Sequence, residues 1–471
     1  MAVALMACSV AAAAPQRRPN VLVIETDDQT AASLRTMPNV NRLLVDAGTT
    51  FDNAFASYAL CCPSRATFLT GQYAHNHGVF ANVAPRGGYY KLRGENTLPV
   101  WLRNVSYQTI HLGKYLNEYG REDPTEVPPG WTGWHGLVDP STYHYYGFTF
   151  NDNGRLRNFV PATAYYQTDV MTDKAVRLIG RASDRKRPFF MWAAYLAPHY
   201  QFGGPSEPDD PEGIPTPEPS PLDRDSFASE PLPMDESFDE ADIADKPAPI
   251  QDFPPLTEEQ RAGIQENYQQ ELESLQAVDR GVARLIEALR AKRELRDTLI
   301  LYTADNGYFH GEHRIPYGKT LPYEPALRIP LVVRGPGVPR GVRLPQLVSN
   351  VDMAPTILDA TGTSPGLPQD GVSLLPLIRD GRRLPARDIL IEGRAVHGGG
   401  LRFAGIRGRR WTYTEYSNGE RELYDLQTDP AQTVNHAFDP SFSAVENDLT
   451  RRLAAVQWCR GKGCRAPAAR P

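Results

Sequence analysis

The sequence predicts an α/β protein with a large mixed, mostly parallel sheet flanked by helices, and a small antiparallel subdomain near the C-terminus. Three observations support this prediction: apolar strand-like segments that end in polar residues, one long amphipathic segment, and short alternating segments after residue 383. The chain has 471 residues, more than one hydrophobic core usually supports. We therefore expect a large domain over 18–380 and a small α+β subdomain over 383–471.

Four short apolar segments have the composition of strands buried on both faces of a parallel sheet. They lie at 19–24, 109–112, 188–196 and 298–302, and each leads directly into polar residues. In open α/β sheets the ligand crevice lies beyond the carboxyl ends of the strands. The polar residues that follow should therefore converge on one site: Asp27, Asp28, Lys114, His199, Asp305 and Asn306.

The remaining segments predict a helix, a long loop and a hairpin. Apolar residues recur at three- and four-residue steps within 257–290, which predicts an amphipathic helix packed on the sheet. The segment 201–255 is crowded with Pro, Asp and Glu, so we expect a surface loop or lid insertion, with a disordered loop as the alternative. The alternating segments 411–416 and 422–426 flank Ser417-Asn418-Gly419, which predicts a hairpin.

Charge and composition limit the partners of this chain. The formal net charge is -6, with both signs interspersed, and no basic stripe of the kind that nucleic-acid binding needs is visible in the sequence. We therefore expect no nucleic-acid partner. An anionic small molecule remains compatible with this charge, because a local cluster of Arg, Lys and metal can outweigh the global field at contact distance.

The N-terminal segment and the cysteines predict an exported protein. Residues 1–14 are apolar and Ala-rich, as in a cleaved export signal or its remnant, and Cys8 lies in a context that loosely resembles a lipoprotein cleavage site. No other segment approaches the ~20 apolar residues of a transmembrane helix. Cys459 and Cys464 flank a Gly-containing loop that a disulfide could close. We expect a secreted, periplasmic or lipid-anchored location.

Two pairs of oxygen-donating side chains follow predicted strands. Asp27 and Asp28 follow the first strand, and Asp305 and Asn306 follow the last of the four. Adjacent carboxylates repel each other, and oxygen donors without neighbouring His or Cys suit a hard cation. We expect a Ca²⁺ site, with Mg²⁺ as the alternative ion and an ordinary Asp-Asp turn or helix cap as the alternative without metal.

The segment 60–71, LCCPSRATFLTG, has the most informative pattern in the chain. Two adjacent cysteines are poor disulfide partners for each other, Pro63 fixes the local backbone, and Arg65 offers a fork of donors suited to an oxyanion. This combination indicates a nucleophile at Cys61. A half-buried cysteine pair in a loop that enters a helix is the alternative.

This segment resembles the signature of the type I, formylglycine-dependent sulfatase family. In that signature a Cys is followed by any residue, then Pro, Ser and Arg, and later Leu-Thr-Gly; Cys61 fits the first position and Cys62 the free one. The resemblance implies an alkaline-phosphatase-like fold and hydrolysis of sulfate monoesters to an alcohol and inorganic sulfate. It also implies that a formylglycine-generating enzyme oxidises Cys61 to formylglycine. The cation ligands it implies are Asp27, Asp28, Cys61, Asp305 and Asn306.

The resemblance also implies which side chains surround the reacting sulfate. Residues that orient the hydrated aldehyde, bind sulfate or assist departure of the alcohol match Arg65, Lys114, His199 and Lys319, and a supporting His matches His77. The chain departs from the family where Leu116 replaces a His, with Asn117 as the candidate stand-in. The implied reaction is a double displacement, in which one hydroxyl of the hydrate attacks sulfur and the second later expels sulfate.

Several segments resemble the N-acetylglucosamine-6-sulfatase and extracellular heparan sulfatase branch of this family, namely 113–120, 131–137, 166–169 and 420–426. This likeness implies a sulfated sugar of the N-acetylglucosamine 6-sulfate type, as in glycosaminoglycans, or an aryl sulfate as substrate. The candidate substrate-binding residues are Asn117, Trp134, His135 and Tyr143. The aromatic stretch around Tyr143 could stack on a ring, with a core or hairpin face as the alternative.

Two other functions are alternatives at this stage. The same sheet, metal and aldehyde chemistry could act on phosphorus, which would make the protein a phosphodiesterase or phosphonate monoester hydrolase. An inactive sulfated-carbohydrate-binding protein is the alternative from another class. It would require the loss of a key group, whereas the motif positions are filled except at Leu116.

Overall fold

The computed structural model describes residues 18–161, 164–185, 187–202, 210–211, 213–382, 386–395 and 400–465. The predicted export signal at 1–14, including Cys8, lies outside the described residues. Within the described part, no helix is both long enough and apolar enough to cross a membrane.

A mixed sheet of ten strands forms the centre of the molecule, in the order β10-β2-β9-β8-β1-β7-β3-β4-β5-β6 among the described residues. Its strands are β1 (Asn20–Asp27), β2 (Thr49–Phe55), β3 (Gln108–Gly113), β4 (Gly133–Leu137), β5 (Thr149–Asp152), β6 (Arg155–Asn158), β7 (Phe189–Pro198), β8 (Thr298–Ala304), β9 (Leu331–Arg334) and β10 (Val342–Ser349). The five central strands of this order, β8-β1-β7-β3-β4, are parallel to one another. The mostly parallel sheet predicted from the sequence is confirmed.

Helices cover both faces of this sheet. The described helices are α1 (Pro38–Val40), α2 (Cys61–Thr70), α3 (Ala74–His77), α4 (Leu98–Asn104), α5 (Gln167–Ser183), α6 (Ala248–Gln251), α7 (Glu258–Ala291), α8 (Glu324–Leu327), α9 (Met353–Thr361), α10 (Leu375–Asp380) and α11 (Ser443–Val456). Helices α2, α4, α9 and α10 contribute to the core on one face, and α5 and α7 to the core on the other.

Helix α7 is the amphipathic helix predicted over 257–290. The hydroxyl of Thr257 accepts a hydrogen bond from the amide of Gln260, and the Gln260 side chain bonds the Thr257 amide in return, so a capping box fixes the start of the helix. Residues 201–202, 210–211 and 213–255, the described part of the predicted insertion, contain one short helix and pack on α7 through Ile214 and Leu232.

A separate antiparallel sheet follows near the C-terminus. Its strands are β11 (Ile389–Arg394), β12 (Arg402–Arg407), β13 (Trp411–Tyr416) and β14 (Arg421–Asp425), paired in that order among the described residues. The predicted hairpin corresponds to β13 and β14. One face packs on α11, whereas the other packs on residues of the large domain such as Phe55, Phe309 and Leu327.

Candidate active site

The four predicted strands are neighbours in the sheet, in the order β8-β1-β7-β3. Because they are parallel, their carboxyl ends lie at one edge, where Asp305, Asp27, His199 and Lys114 follow. The structure therefore brings together residues that are separated by up to 278 positions, as the bond from Asn306 to Asp28 shows.

The start of helix α2 directs its two cysteines in different directions. Cys61 is the first helical residue, and its Sγ lies 3.7 Å from Asp27 Oδ1 and 3.1 Å from Lys319 Nζ. Cys62 packs into the hydrophobic core, and its amide donates to Asn82 Oδ1 at 2.9 Å. Both cysteines are free thiols. Only Cys61 therefore faces the cluster of charged residues.

Three carboxylates at this edge meet the requirements of a cation site. One oxygen from each of Asp27, Asp28 and Asp305 lies within 4.8 Å of the others, and all three residues are buried. Asp28 Oδ2 and the side-chain oxygen of Asn306 have no hydrogen-bond partner among the described residues. Buried oxygens without donors are costly. This set of hard oxygen donors fits a divalent cation such as Ca²⁺ or Mg²⁺.

Arg65 lies beneath these carboxylates with no exposed surface. Its Nε donates to Asp305 Oδ2 at 2.8 Å, its Nη2 to Asp27 Oδ2 at 2.9 Å and its Nη1 to the carbonyl of Lys114 at 2.9 Å. The guanidinium fork is thus engaged by protein groups on three elements. In this arrangement Arg65 positions the carboxylates and the Lys114 backbone.

Lys114 reaches the site because Gly113 permits a sharp turn at the end of β3. Gly113 has φ +103°, and a Cβ added there would lie 2.1 Å from the carbonyl oxygen of Ala194. The Lys114 ammonium pairs with Asp27. Burial alone would lower the pKa of Lys114, but Asp27 raises it above its ordinary value, so this side chain stays charged.

Lys319 and His199 border the site next to Asp28. Lys319 Nζ pairs with Asp28 Oδ1, which raises the Lys319 pKa although burial opposes the shift. His199 Nδ1 lies 2.6 Å from the carbonyl of Tyr200, which can only accept, so Nδ1 is the protonated nitrogen. His199 Nε2 lies 3.7 Å from Asp28 Oδ2. Burial lowers the pKa of His199 to about 4.

The thiol of Cys61 is a poor nucleophile in these surroundings. Burial, followed by the charge of Asp27, raises the pKa of Cys61 to about 12. The unmodified side chain is therefore a neutral thiol near pH 7. Asp27 itself keeps a pKa below its ordinary value, because Lys114 and Arg65 outweigh the effect of its burial.

Tyr143 and Asn117, two predicted substrate-binding residues, lie beside Lys114. Lys114 Nζ lies 4.8 Å from the centre of the Tyr143 ring, and Tyr143 stacks on Phe202 with ring centres 4.2 Å apart. Asn117 Nδ2 donates to the Tyr143 hydroxyl at 2.5 Å. Leu116, at the position where the family pattern has a His, is buried in the core.

Two other predicted substrate-binding residues are placed elsewhere. Trp134 has no exposed surface, stacks on His111 and donates from Nε1 to the Tyr119 hydroxyl at 2.6 Å. A side chain without exposed surface has no area to offer a sugar, so Trp134 packs the core. His135 faces a different cavity, where its Nδ1 lies 2.7 Å from Asp152 Oδ1.

His77, the predicted supporting residue, contacts helix α2. Its Nδ1 accepts from the amide of Val79 at 3.1 Å, so its Nε2 carries the proton and donates to Thr67 Oγ1 at 3.1 Å. This contact braces the helix that presents Cys61. Within the described part of the chain, His77 makes no hydrogen bond or ion pair with the carboxylates of the site.

Two polar residues at the site were missed by sequence reasoning. Glu25 is buried 3.3 Å from Arg65 Nη1, and burial raises its pKa to about 8 although Arg65 opposes the shift. Asn350 donates to Ser64 Oγ at 2.9 Å and accepts from the Ser57 amide at 3.0 Å, which fixes the entry to α2. Glu25 could have been found from its place at the end of β1, whereas Asn350 follows edge strand β10 without a recognisable motif.

Cys459 and Cys464 form a disulfide with an S–S distance of 2.10 Å. This bond closes the segment that follows α11 and lies on the hydrophobic core of the C-terminal sheet. The carbonyl of Cys459 lies 2.7 Å from His75 Nε2, which connects this segment to α3.

Comparison with known protein families gives two matches. Residues 19–363 match the family model described as Sulfatase. Residues 311–458 match a model described as N-sulphoglucosamine sulphohydrolase, C-terminal. The first match includes the carboxylates, Cys61 and the cationic side chains described above.

Curated proteins with similar sequences are sulfatases. An arylsulfatase of Volvox carteri is 32% identical, over 98% of this chain and 77% of its own length. The N-acetylglucosamine-6-sulfatase of Homo sapiens is also 32% identical, over 97% of this chain and 87% of its own length.

Solved structures share the fold at lower identity. A protein in complex with its substrate D-glucosamine-2-N,6-O-disulfate superposes with a TM-score of 0.79 at 24% identity, over 97% of this chain and 100% of the other. The phosphonate monoester hydrolase of Agrobacterium radiobacter superposes with a TM-score of 0.69 at 22% identity, over 94% and 96%. The predicted alkaline-phosphatase-like fold is thereby confirmed.

Proposed function

The chain belongs to the sulfatase family and is a sulfuric ester hydrolase, and we propose that it removes sulfate from sulfated sugars with a formylglycine made from Cys61. The observation that carries this proposal is the position of Cys61 at the start of α2. Its side chain points at a carboxylate cluster flanked by the buried Lys114 and the partly buried Lys319.

In the proposed enzyme, Asp27, Asp28, Asp305 and Asn306 hold a divalent cation, for which we favour Ca²⁺. Two observations support this cation site: the three carboxylates lie close together, and the side-chain oxygens Asp28 Oδ2 and Asn306 Oδ1 have no hydrogen-bond partner among the described residues. When bound, this cation would supply positive charge that offsets the negative charge of a sulfate ester and of the nucleophile. Arg65 keeps the ligands Asp27 and Asp305 in place from below.

A formylglycine at position 61 would replace a weak nucleophile with a competent one. The raised pKa of the Cys61 thiol leaves almost no thiolate near neutral pH. A hydrated aldehyde offers two hydroxyls on one carbon: the first can attack sulfur, and the second can later expel sulfate while the aldehyde reforms. Conversion of Cys61 by a formylglycine-generating enzyme is therefore part of the proposal.

Lys114 and Lys319 are proposed to bind the sulfate and to stabilise the charge that develops during transfer. Lys114 is buried and Lys319 is partly buried, and both remain charged because Asp27 and Asp28 raise their pKa values. The Lys114 ammonium is held by Asp27 and the Lys319 ammonium by Asp28, so each has a defined position. Lys319, at 3.1 Å from Cys61 Sγ, is close to the atom that would be replaced.

His199 is proposed to handle the proton of the leaving alcohol. Its Nδ1 is committed to the carbonyl of Tyr200, so proton exchange with a ligand runs through Nε2, which faces the site next to Asp28. Tyr143 and Asn117 would hold Lys114 in place rather than stack on the sugar, because Tyr143 is only 3% exposed and its ring packs on Phe202 and the Lys114 ammonium, while Asn117 donates to its hydroxyl.

The proposed substrate is a sugar of the N-acetylglucosamine 6-sulfate type, with aryl sulfates as surrogate substrates. The similarity to a human N-acetylglucosamine-6-sulfatase along 97% of this chain supports the sugar, and the similarity to an arylsulfatase supports the surrogate. We further propose that the protein is exported, because the Cys459–Cys464 disulfide persists best in an oxidising compartment.

The test is the release of sulfate by protein co-produced with a formylglycine-generating enzyme and supplied with Ca²⁺. N-acetylglucosamine 6-sulfate and 4-nitrophenyl sulfate are compared with 4-nitrophenyl phosphate and phenyl 4-nitrophenyl phosphonate. We expect both sulfates to be hydrolysed faster than either phosphorus ester. Faster hydrolysis of the phosphonate would favour the phosphonate hydrolase instead, and binding of the sugar without turnover would favour a binding protein.

A further inference from the structure

A basic pocket lies at the edge of the large sheet, on the face covered by α5. It is a cavity of about 280 Å³ bordered by β4, the β5–β6 hairpin and α5. Five of its lining residues are basic and one is acidic: Arg155, Arg157, Lys174, Arg177, Arg181 and Asp152. We call these six residues the basic pocket.

The charges in the basic pocket are not balanced by the protein. Asp152 pairs with Lys174 at 2.7 Å, with His135 at 2.7 Å and with Arg157 at 3.4 Å. Among the described residues, no carboxylate lies within ion-pair distance of Arg155, Arg177 or Arg181. One carboxylate therefore serves several cations, although the chain as a whole has a net charge of -6.

The fold concentrates these cations although they repel one another. Lys174, Arg177 and Arg181 are spaced three and four residues apart along α5, so they share one helix face. Arg155 and Arg157 alternate along edge strand β6 and so point to the same side of the sheet. The pKa of Lys174 is lowered first by burial and then by Arg157 and Arg177, although Asp152 opposes the shift. Such repulsion costs stability unless an anion offsets it.

The pocket is separate from the site at the carboxyl ends of the strands. His135 lies opposite Leu112 in the sheet, and an adjoining cavity that also includes Arg181 extends to Gln108 at the start of β3. The six residue steps from Gln108, in the adjoining cavity, to Lys114 span about 20 Å of strand. Arg181 lies fourteen residues along α5, about 21 Å, from Gln167, which contacts the carbonyl of Thr142 next to Tyr143. A ligand that occupied both places would have to be a chain of several sugar units.

We propose that the basic pocket binds a sulfate group of a sulfated glycan chain, as a secondary site away from the candidate active site. The identity of the anion rests on the proposed function, because a polymer that carries the target ester carries further sulfates. Unpaired guanidinium groups suit sulfate oxygens, to which they donate two parallel hydrogen bonds. The volume, below the 300–1,000 Å³ of ordinary ligand pockets, fits one charged unit of a chain rather than a whole ligand.

The experiment uses a variant with Arg155→Gln, Arg177→Gln and Arg181→Gln. A control variant with Arg103→Gln, Arg296→Gln and Arg340→Gln removes the same charge from three exposed arginines outside the pocket. Binding of both variants and wild type to heparin oligosaccharides, and to the same oligosaccharides after chemical desulfation, is measured at increasing salt. Duplex DNA serves as a competitor.

We expect the pocket variant to bind the sulfated oligosaccharides at least about tenfold more weakly than wild type. The control variant should bind within about twofold of wild type, and binding by wild type should weaken with salt. The KM of the pocket variant should rise for sulfated polymer but not for 4-nitrophenyl sulfate. Three results would each overturn the proposal: the same loss of affinity in the pocket and control variants, equal binding of sulfated and desulfated oligosaccharides to wild type, or displacement of the bound oligosaccharide by DNA as effective as by heparin.

The binding measurement is independent of catalysis, so the two proposals can fail separately. Pocket-dependent binding in a protein without sulfatase activity would refute the proposed reaction and leave the secondary site. Normal hydrolysis of small sulfates with no pocket-dependent binding of oligosaccharides would refute the secondary site and leave the proposed reaction.

Discussion

Cys61 and Cys62 are adjacent but differ in surroundings, which makes them a matched pair for mutation. Cys61 faces the carboxylates and Lys319, whereas Cys62 is packed in the core. We expect Cys61→Ala to lower sulfate release more than about a thousandfold, because the proposed nucleophile is lost. Cys62→Ala should keep kcat within about threefold and reduce stability by about 1 kcal/mol through the small cavity it leaves.

Sulfate release is measured for both variants after co-production with a formylglycine-generating enzyme, and peptide mass spectrometry locates the aldehyde. An aldehyde at position 62, or activity that survives Cys61→Ala but not Cys62→Ala, would contradict the assignment.

The carboxylate cluster should make stability depend on a divalent cation. Asp27, Asp28 and Asp305 repel one another when no cation is bound, so Ca²⁺ at a hundred times its Kd should stabilise the protein by about 2.7 kcal/mol. We expect Ca²⁺ to raise the Tm after chelation with EDTA, and Asp305→Asn to abolish most of that rise. The readout is the Ca²⁺-dependent shift, because loss of the Arg65 contact also changes the Tm itself.

Asp184→Asn is the control for this experiment, since Asp184 pairs with Lys292 on the surface. Its Ca²⁺-dependent shift should equal that of wild type. An unchanged shift in Asp305→Asn would show that the cation binds elsewhere.

His77 should make the protein less stable in acid. Burial, assisted by His75, lowers the pKa of His77 to about 3, whereas an unfolded His titrates near 6.5. Between these values the unfolded chain binds the proton and the folded chain does not. This contribution to stability is therefore complete above about pH 6.5 and is lost as the pH falls, by up to about 1.4 kcal/mol per pH unit.

Unfolding in urea at pH 7, 6, 5 and 4 measures this dependence. His77→Gln, which has no charge to gain, should show a smaller loss of unfolding free energy between pH 6 and pH 4 than wild type. The same slope in both proteins would assign the acid sensitivity to other groups.

At the scale of elements, the turn between β3 and Lys114 depends on Gly113. A Cβ there would meet the Ala194 carbonyl at 2.1 Å in addition to the strain of φ +103°. We expect Gly113→Ala to destabilise the protein by more than the 1–2 kcal/mol that a left-handed conformation alone costs, and to lower kcat/KM because Lys114 shifts. Thermal unfolding and 4-nitrophenyl sulfate hydrolysis measure the two effects.

Gly78→Ala is the matched control, because Gly78 has φ +78° and no atom within 4 Å of an added Cβ. It should show the conformational cost alone, with near-normal activity. Equal losses of stability and activity in the two variants would mean that the close contact between the added Cβ and the Ala194 carbonyl has no measurable effect.

The elements that could be predicted from sequence are those with strong local patterns. β1, β3, β7 and β8 are continuous apolar segments, and α7 has a clear helical period. The edge strand β6 has four exposed residues, so its sequence contains no burial pattern to detect. Strand β10 has mixed burial and a register shift between Leu344 and Leu347, which weakens its pattern in the same way.

The site itself could be predicted to the extent that its residues follow those central strands or belong to a motif. Five residues that the structure brings together met one or both conditions: Cys61, Arg65, Asp27, Asp28 and Asp305. Asn350 met neither, and Trp134 misled because its motif likeness did not reveal that it is buried.

At the scale of the whole molecule, some charge patterns exist only after folding. The five cations of the basic pocket come from two segments, 155–157 and 174–181, which contribute two and three of them, so neither segment alone shows the whole cluster. The net charge of -6 therefore contained no information about this local cluster.

The two sheets should unfold together, because buried polar and apolar contacts join them. Arg387, just before β11, pairs in the interior with Asp352, which also accepts from the amides of Ser349 and Val372 at 2.9 Å. Ile389 and Ile391 of β11 pack on residues of the large domain.

We expect a single thermal transition by calorimetry. Arg387→Ala should lower the free energy of unfolding by about 3–5 kcal/mol, because the variant leaves the buried Asp352 charge without its partner. Arg409→Ala, which removes an exposed arginine from the turn before β13, should shift the transition little. Two separate transitions in the wild type, or equal effects of the two variants, would show that the C-terminal sheet folds as an independent unit.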